Sequence, residues 1–147
     1  GMELLRNALP DVQFTTDIIV GFPGETDADF NETKSFLLSS PTTHLHIFPY
    51  SEREGTEAAT MPSAVPVEIR RARAKELETI GAKNHESFAR SLIGQEVTVC
   101  VEKDGNGHTD EYLRCRLKGS APRRSLVRAA VDDYFPKTGV LSATICA

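Results

Sequence analysis

The stretch TTDIIVGFPGET, residues 15–26, decides how the first half of the chain is read. Residues 14–22 form a near-continuous apolar, β-branched run, the pattern of a parallel strand covered on both faces. The glycine-proline turn that follows breaks the strand. Thr26 then stands as a helix N-cap with Asp29 three residues on, close to a capping box, and Asp27 and Asp29 suit the positive end of a helix. This helix is expected to run to about Leu38, with Phe30, Thr33, Phe36 and Leu37 as its apolar stripe, and to stop before Pro41. HLHIFPYS, residues 44–51, reads as a second strand, so the whole predicts a right-handed βαβ unit. Upstream, residues 3–9 read as the last turns of a helix ended by Pro10.

Alternation assigns the faces of both strands. Thr16, Ile18, Val20 and Phe22 should lie beneath helices, with Leu45 and Ile47 beside them. Thr15, Asp17, Ile19 and Gly21 point the other way, as do His44, His46, Phe48 and Tyr50. In a parallel barrel that second face is the interior, and polar groups at the C-terminal strand ends are where such barrels place their chemistry. An aromatic pair beside a glycine there could hold a flat ring such as adenine. His44 and His46 have the same-face spacing of metal ligands but no third partner, so no metal is assigned. GFPGET lacks the Lys-Ser/Thr ending of a phosphate loop.

After a loop at 52–66, Val67 to Ser91 reads as a long helix rich in Ala, Arg, Glu and Leu, with Gly94 as its stop. Beyond it the periodicity changes. EVTVCVE, EYLRCRLKG, SLVRAAVDDYF and VLSATIC are short alternating segments parted by KDGNGHTD, SAPRR and PKTG. Four or five such strands predict a small antiparallel barrel. The fold class is α/β plus β, divided as 1–66, a connecting helix at 67–93, and 94–147. Two strands are too few for a domain, so the first part needs further strands from a larger sheet or from another copy of the chain.

The charge is uneven. Residues 1–91 hold 9 Lys and Arg against 14 Asp and Glu, while residues 92–147 hold 8 against 7. Arg114, Arg116, Lys118, Arg123, Arg124 and Arg128 fall in a stretch with no acid between Tyr112 and Val131. A local basic stripe in a chain of net charge -4 is a nucleic-acid footprint, and Tyr112 and Tyr134 are candidate stacking residues for single-stranded RNA. The widely spaced Cys100, Cys115 and Cys146 fit buried thiols in a reducing cytoplasm and form no zinc or iron-sulfur motif. No run of 18 apolar residues predicts a membrane span, and no export leader is recognisable.

TTDIIVGFPGETDADF, then HLHIFPYSEREGTEAATMP, a long helix leading into LIGQ, and GHTDEYLRCRLKG together resemble the C-terminal half of the methylthiotransferases, which are radical S-adenosylmethionine (SAM) enzymes. The resemblance covers essentially the whole chain. It implies the end of a radical-SAM partial barrel followed by a TRAM domain, an RNA-binding barrel. HLHIFPYS-x-R-x-GT-x-A looks most like the members that methylthiolate N6-threonylcarbamoyladenosine at tRNA position 37. The isopentenyladenosine and ribosomal-protein branches are similar.

Carried over by motif, residues 14–22 look like the fifth barrel strand, with Ile19, Gly21 and Glu25 lining the SAM pocket. Residues 44–51 look like the sixth, with His46, Phe48, Tyr50 and Ser51 near the adenine. Tyr112, Arg114, Arg116, Lys118, Arg123, Arg124 and Arg128 would hold tRNA. The family uses SAM and two [4Fe-4S] clusters, but the C-x-x-x-C-x-x-C motif is absent here. The resemblance therefore implies a cytoplasmic piece that grips tRNA without catalysing alone and binds no cofactor alone. A stand-alone interaction protein that oligomerises through its open barrel strands is the alternative.

Overall fold

Gly21 takes φ +73°, which only a residue without Cβ adopts freely, and there β1 (Phe14–Val20) stops. The strand is thus two residues shorter than its apolar run, and Phe22 lies beyond it, exposed rather than packed under a helix. In the computed structural model, which describes residues 1–9 and 12–146, β1 is preceded by α1 (Met2–Ala8). Pro10, expected to end that helix, lies outside the described residues. Thr26 caps α2 (Asp27–Ser39) with the full reciprocal box: its hydroxyl accepts from the Asp29 amide at 3.2 Å, and Asp29 accepts from the Thr26 amide at 2.9 Å. Pro41 disfavours helical geometry at Ser40, whose ψ is 150°, and the chain enters β2 (Thr42–Pro49).

Two compact units divide after Asn84, inside α3 (Val67–Ser91). In the first, β1 and β2 pair in parallel, with Asp17 opposite His46 and Ile19 opposite Phe48. Val20, Phe30, Leu37, Ala74, Leu77 and Ile80 form its core, with Ile18, Leu45 and Ile47 packed against them. Helices therefore cover one face of the pair, as alternation requires. The expected α2 stripe is narrower than read, since Phe30 and Leu37 are buried while Phe36 is exposed.

The second unit is a closed barrel of five strands in the order β3 (Glu96–Val101), β4 (Asn106–Thr109), β5 (Arg114–Lys118), β7 (Val140–Ile145) and β6 (Leu126–Phe135). β6 returns to β3 and closes the ring. The barrel is not wholly antiparallel, because β5 and β7 pair in parallel, with Cys115 opposite Leu141 and Leu117 opposite Ala143. Val97, Val99, Val101, Leu113, Cys115, Leu117, Ala129, Val131, Tyr134, Leu141 and Ala143 fill the interior. Among the described residues, no helix is long and apolar enough to cross a membrane.

KDGNGHTD is not all turn. Asp104 and Gly105 both have positive φ, at 57° and 71°, and the Asn106 amide donates to the Lys103 carbonyl at 3.0 Å. This tight Asp-Gly turn sits in a three-residue loop, closed where the Glu102 amide donates to the Asn106 carbonyl at 2.8 Å, so pairing resumes at once and β4 begins at Asn106. Gly107 sits inside that strand because a Cβ there would lie 2.3 Å from the Cys100 carbonyl oxygen. We predict that Gly107→Ala lowers the free energy of unfolding by about 1–3 kcal/mol, read by urea denaturation. Wild-type stability in that variant would contradict the close approach of β3 and β4.

Candidate functional site

The turn after β1 is held from within. The Glu25 carboxylate accepts from the Gly21 amide and from Arg73 Nη1 at 2.6 Å, while Arg73 Nη2 donates to Asp27 at 2.6 Å. Arg70 donates from Nε to the Val65 carbonyl at 2.6 Å, from Nη1 to the Tyr50 carbonyl at 3.0 Å, and from Nη2 to Glu52 at 2.6 Å. Both arginines are buried. The Arg70 hydrogen bond holds the Glu52 carboxyl below its ordinary pKa. A Cβ on Gly21 would lie 2.3 Å from Arg70 Cγ, so this glycine clears a path for an arginine. Two buried cations thereby lock the ends of β1 and β2 to α3.

Of the residues read toward a nucleoside, Glu25 is engaged internally, whereas Ile19, His46, Phe48 and Ser51 are exposed. Ile19 and Phe48 are register partners, so β1 and β2 present an apolar pair on the uncovered face. The Tyr50 ring meets Phe22 edge-on at 5.3 Å and lies 5.2 Å from the Arg70 guanidinium. Its hydroxyl is buried and has no hydrogen-bond partner among the described residues. The exposed Ile19–Phe48 pair offers an apolar surface on which a flat ring could lie. His44 and His46 stack edge-on at 4.6 Å; burial first, and then His46, hold His44 below the ordinary histidine pKa.

On the barrel, alternation turns Arg114, Arg116 and Lys118 of β5 outward while Cys115 and Leu117 point in. Lys118 pairs with Asp132 at 3.1 Å, and Arg128 pairs with Glu96. Arg114, Arg116, Arg123 and Arg124 form no ion pair among the described residues. Arg114 and Arg116 lie on β5, opposite His108 and Asn106 of β4. Arg123 and Arg124 lie in the β5–β6 loop, where they line a depression of about 360 Å³ with Cys100, Glu102 and Lys103. The sequence stripe thus divides into a strand pair and a loop pair, with two of its six cations already neutralised by acids.

Tyr112 stands 88% exposed in the β4–β5 turn. Tyr134 does not serve as a stacking residue, because it is buried in the barrel. The cause is a bulge: the β6–β7 register shifts between Val131 and Asp133, which inverts the inward phase for the rest of β6. Phe135 is turned outward instead. The Asp132-Asp133 doublet signals this, since strict alternation from Ala129 and Val131 would bury Asp133. Arg70 and Arg73 also escaped notice, although extending the stripe of Ala74, Leu77 and Ile80 toward the helix start places both on the buried face.

The cysteines present do not fit an iron-sulfur ligand set. Cys100 is exposed, Cys146 half-buried, and Cys115 sits in the barrel core, where burial and then the Asp132 charge push its thiol up to about 11. Among the described residues, no group of three His, Cys, Asp or Glu could hold a metal ion.

No family model matches the chain. It is 43% identical over 115 residues to the threonylcarbamoyladenosine tRNA methylthiotransferase MtaB of Rickettsia prowazekii, covering 78% of this chain and 27% of that protein. It is 40% identical over 132 residues to the tRNA-2-methylthio-N(6)-dimethylallyladenosine synthase of Thermobifida fusca, covering 90% of this chain and 26% of that protein. It is 38% identical over 138 residues to the ribosomal protein uS12 methylthiotransferase RimO of Desulforudis audaxviator, covering 92% of this chain and 30% of that protein. The chain spans roughly a quarter to a third of the length of these relatives.

Removing one partner of a buried ion pair leaves the other charge uncompensated. Arg73→Met should therefore destabilise the first unit by about 3 kcal/mol in urea denaturation. Lys34→Met, which breaks the more exposed 2.7 Å pair with Glu76, should cost no more than about 1 kcal/mol. Equal effects would contradict the lock.

Proposed function

We propose that this chain, homologous over most of its length to the methylthiotransferases, supplies the RNA-binding barrel and part of the nucleoside pocket of a tRNA methylthiotransferase. The observation that carries the reading is the closed five-stranded barrel with Arg114 and Arg116 turned outward and in no ion pair among the described residues. Five-stranded barrels of this kind bind oligonucleotides on the second and third strands and the adjoining loops, here β4 and β5. Residues 94–147 are then a TRAM domain, residues 67–93 a connecting helix, and residues 1–66 the last piece of a radical-SAM barrel with β1 and β2 as its fifth and sixth strands. The reaction is 2-methylthiolation of N6-threonylcarbamoyladenosine at tRNA position 37, the branch favoured by HLHIFPYS and the nearby GT-x-A.

The adenine of S-adenosylmethionine would lie on Ile19 and Phe48, with Tyr50, Gly21 and Ser51 at the strand ends near it. When bound with reduced clusters, that cofactor supplies radical chemistry for sulfur insertion. Glu25 acts indirectly by fixing the Gly21 backbone. No step is assigned to a cluster on this chain's cysteines, which do not fit one. The ribosomal-protein branch is the second reading, favoured by the similarity to a uS12 methylthiotransferase.

Salt titration of tRNA binding separates these readings. With about four phosphate contacts, log K should fall with log salt at a slope of about -3. The double variant Arg114→Glu/Arg116→Glu should reduce the slope by about 2 and weaken binding on the order of tenfold or more. An affinity unmoved by charge reversal would contradict the interface, and a chain that ignores tRNA would favour the protein-modifying branch.

A further inference from the structure

We propose that the depression where β5, β6 and β7 meet seats one unstacked base of single-stranded RNA on Phe135, with the flanking phosphates on Arg116 and Lys137. This rests on the reading of the barrel as RNA-binding and adds to it a specific subsite. The depression measures about 450 Å³ and is lined by Arg116, Phe135, Pro136, Lys137, Thr138 and Val140. Its floor is apolar. Phe135 pairs in register with Val140, and Val140 with Arg114, so one row across three strands runs from an aromatic ring to a cation.

The bulge in β6 creates this site. By reversing the inward phase it buries Tyr134 and leaves Phe135 45% exposed. The ring's backbone is firmly held, since the Phe135 carbonyl accepts from the Thr138 amide at 3.1 Å and the Gly139 amide at 2.9 Å. Gly139 takes φ +66° to close the turn. A pre-formed aromatic surface of this kind carries little ordering cost on binding.

Charge selects the occupant. Arg116 and Lys137 form no ion pair among the described residues. The neighbouring acids are occupied elsewhere: Asp132 pairs with Lys118 and accepts from Thr144, and Asp133 accepts from the Tyr134 amide. An apolar floor with unpaired cations calls for a ligand that is flat and apolar at its centre and anionic on either side. A base between two phosphodiesters has that form, and stacking tolerates any base because each has a π face.

The test uses the full chain and a short single-stranded oligoribonucleotide carrying one 2-aminopurine. Binding should quench its fluorescence through stacking. Phe135→Leu, which keeps the apolar volume but loses the ring, should abolish the quench and weaken binding roughly 5- to 150-fold with an unchanged salt slope. Phe135→Tyr should restore both, and Arg116→Gln should keep the quench while lowering the slope by about 1. A thermal melt of Phe135→Leu matching wild type ties the loss to the ring, whereas a collapsed melt that Phe135→Tyr shares would overturn the role of Phe135 as an exposed surface. Wild-type affinity and quench in Phe135→Leu would overturn the subsite while leaving RNA binding intact. A polyglutamate peptide that displaces the RNA equally from wild type and Phe135→Leu would assign the depression to general anion attraction and overturn base seating. Failure of the wild-type chain to bind the oligonucleotide would overturn this subsite together with the RNA-binding reading.

Discussion

Closure of the barrel through the parallel pairing of β5 with β7 is the constraint on which the second unit depends. An open five-stranded sheet would leave edge hydrogen bonds unmade, and closure removes both edges. Once the ring is shut, each strand residue must point in or out. Cys115 and Leu117 join Leu141 and Ala143 inside, and the intervening Arg114, Arg116 and Lys118 have only the outside left. The basic surface follows from packing the core. Asp132 of β6, reaching across β7, then neutralises Lys118, and Glu96 of the adjacent β3 neutralises Arg128, so the free cations are fewer than the composition suggests.

The first unit solves a different problem. A two-stranded parallel sheet can bury only one face under its two helices, and here the other face keeps Asp17, Ile19, His46 and Phe48 exposed. Its strand ends are fixed by charge rather than by further strands. Arg70 ties Tyr50, Glu52 and Val65 together, and Arg73 ties Glu25 and Asp27, with Gly21 leaving room for Arg70 to pass. The GFPGET turn is therefore a structural joint first. It buries Gly21 against Arg70 of α3 and commits Glu25 to the Gly21 amide and Arg73 rather than to a ligand.

Much of this was legible because single residues carry unambiguous signals. The Thr26–Asp29 box, the span of α3 and the alternating faces of β1 and β2 all follow local rules that tertiary contacts reinforce. The exceptions share a physical cause. β4 was hidden because Asp104-Gly105 makes a genuine turn while Gly107, two residues later, serves strand approach instead of reversal. Tyr134 and Phe135 exchanged roles because one inserted residue in β6 inverts alternation, and period-two reading carries no memory of an insertion. The pairing of β5 with β7 depends on ring closure, which no local window contains. Arg70 and Arg73 were obscured because arginine on a helix is usually solvent-facing.

The central claim is that the barrel, through the outer side of β5 and the β6–β7 turn, is the surface that meets RNA. Hydrogen-exchange mass spectrometry of the chain with and without unmodified tRNA tests it most directly. The account predicts that tRNA slows exchange in peptides covering residues 106–118 and 135–140, with little change across residues 14–50. Protection confined to residues 14–50, or absent from the barrel at saturating tRNA, would contradict it.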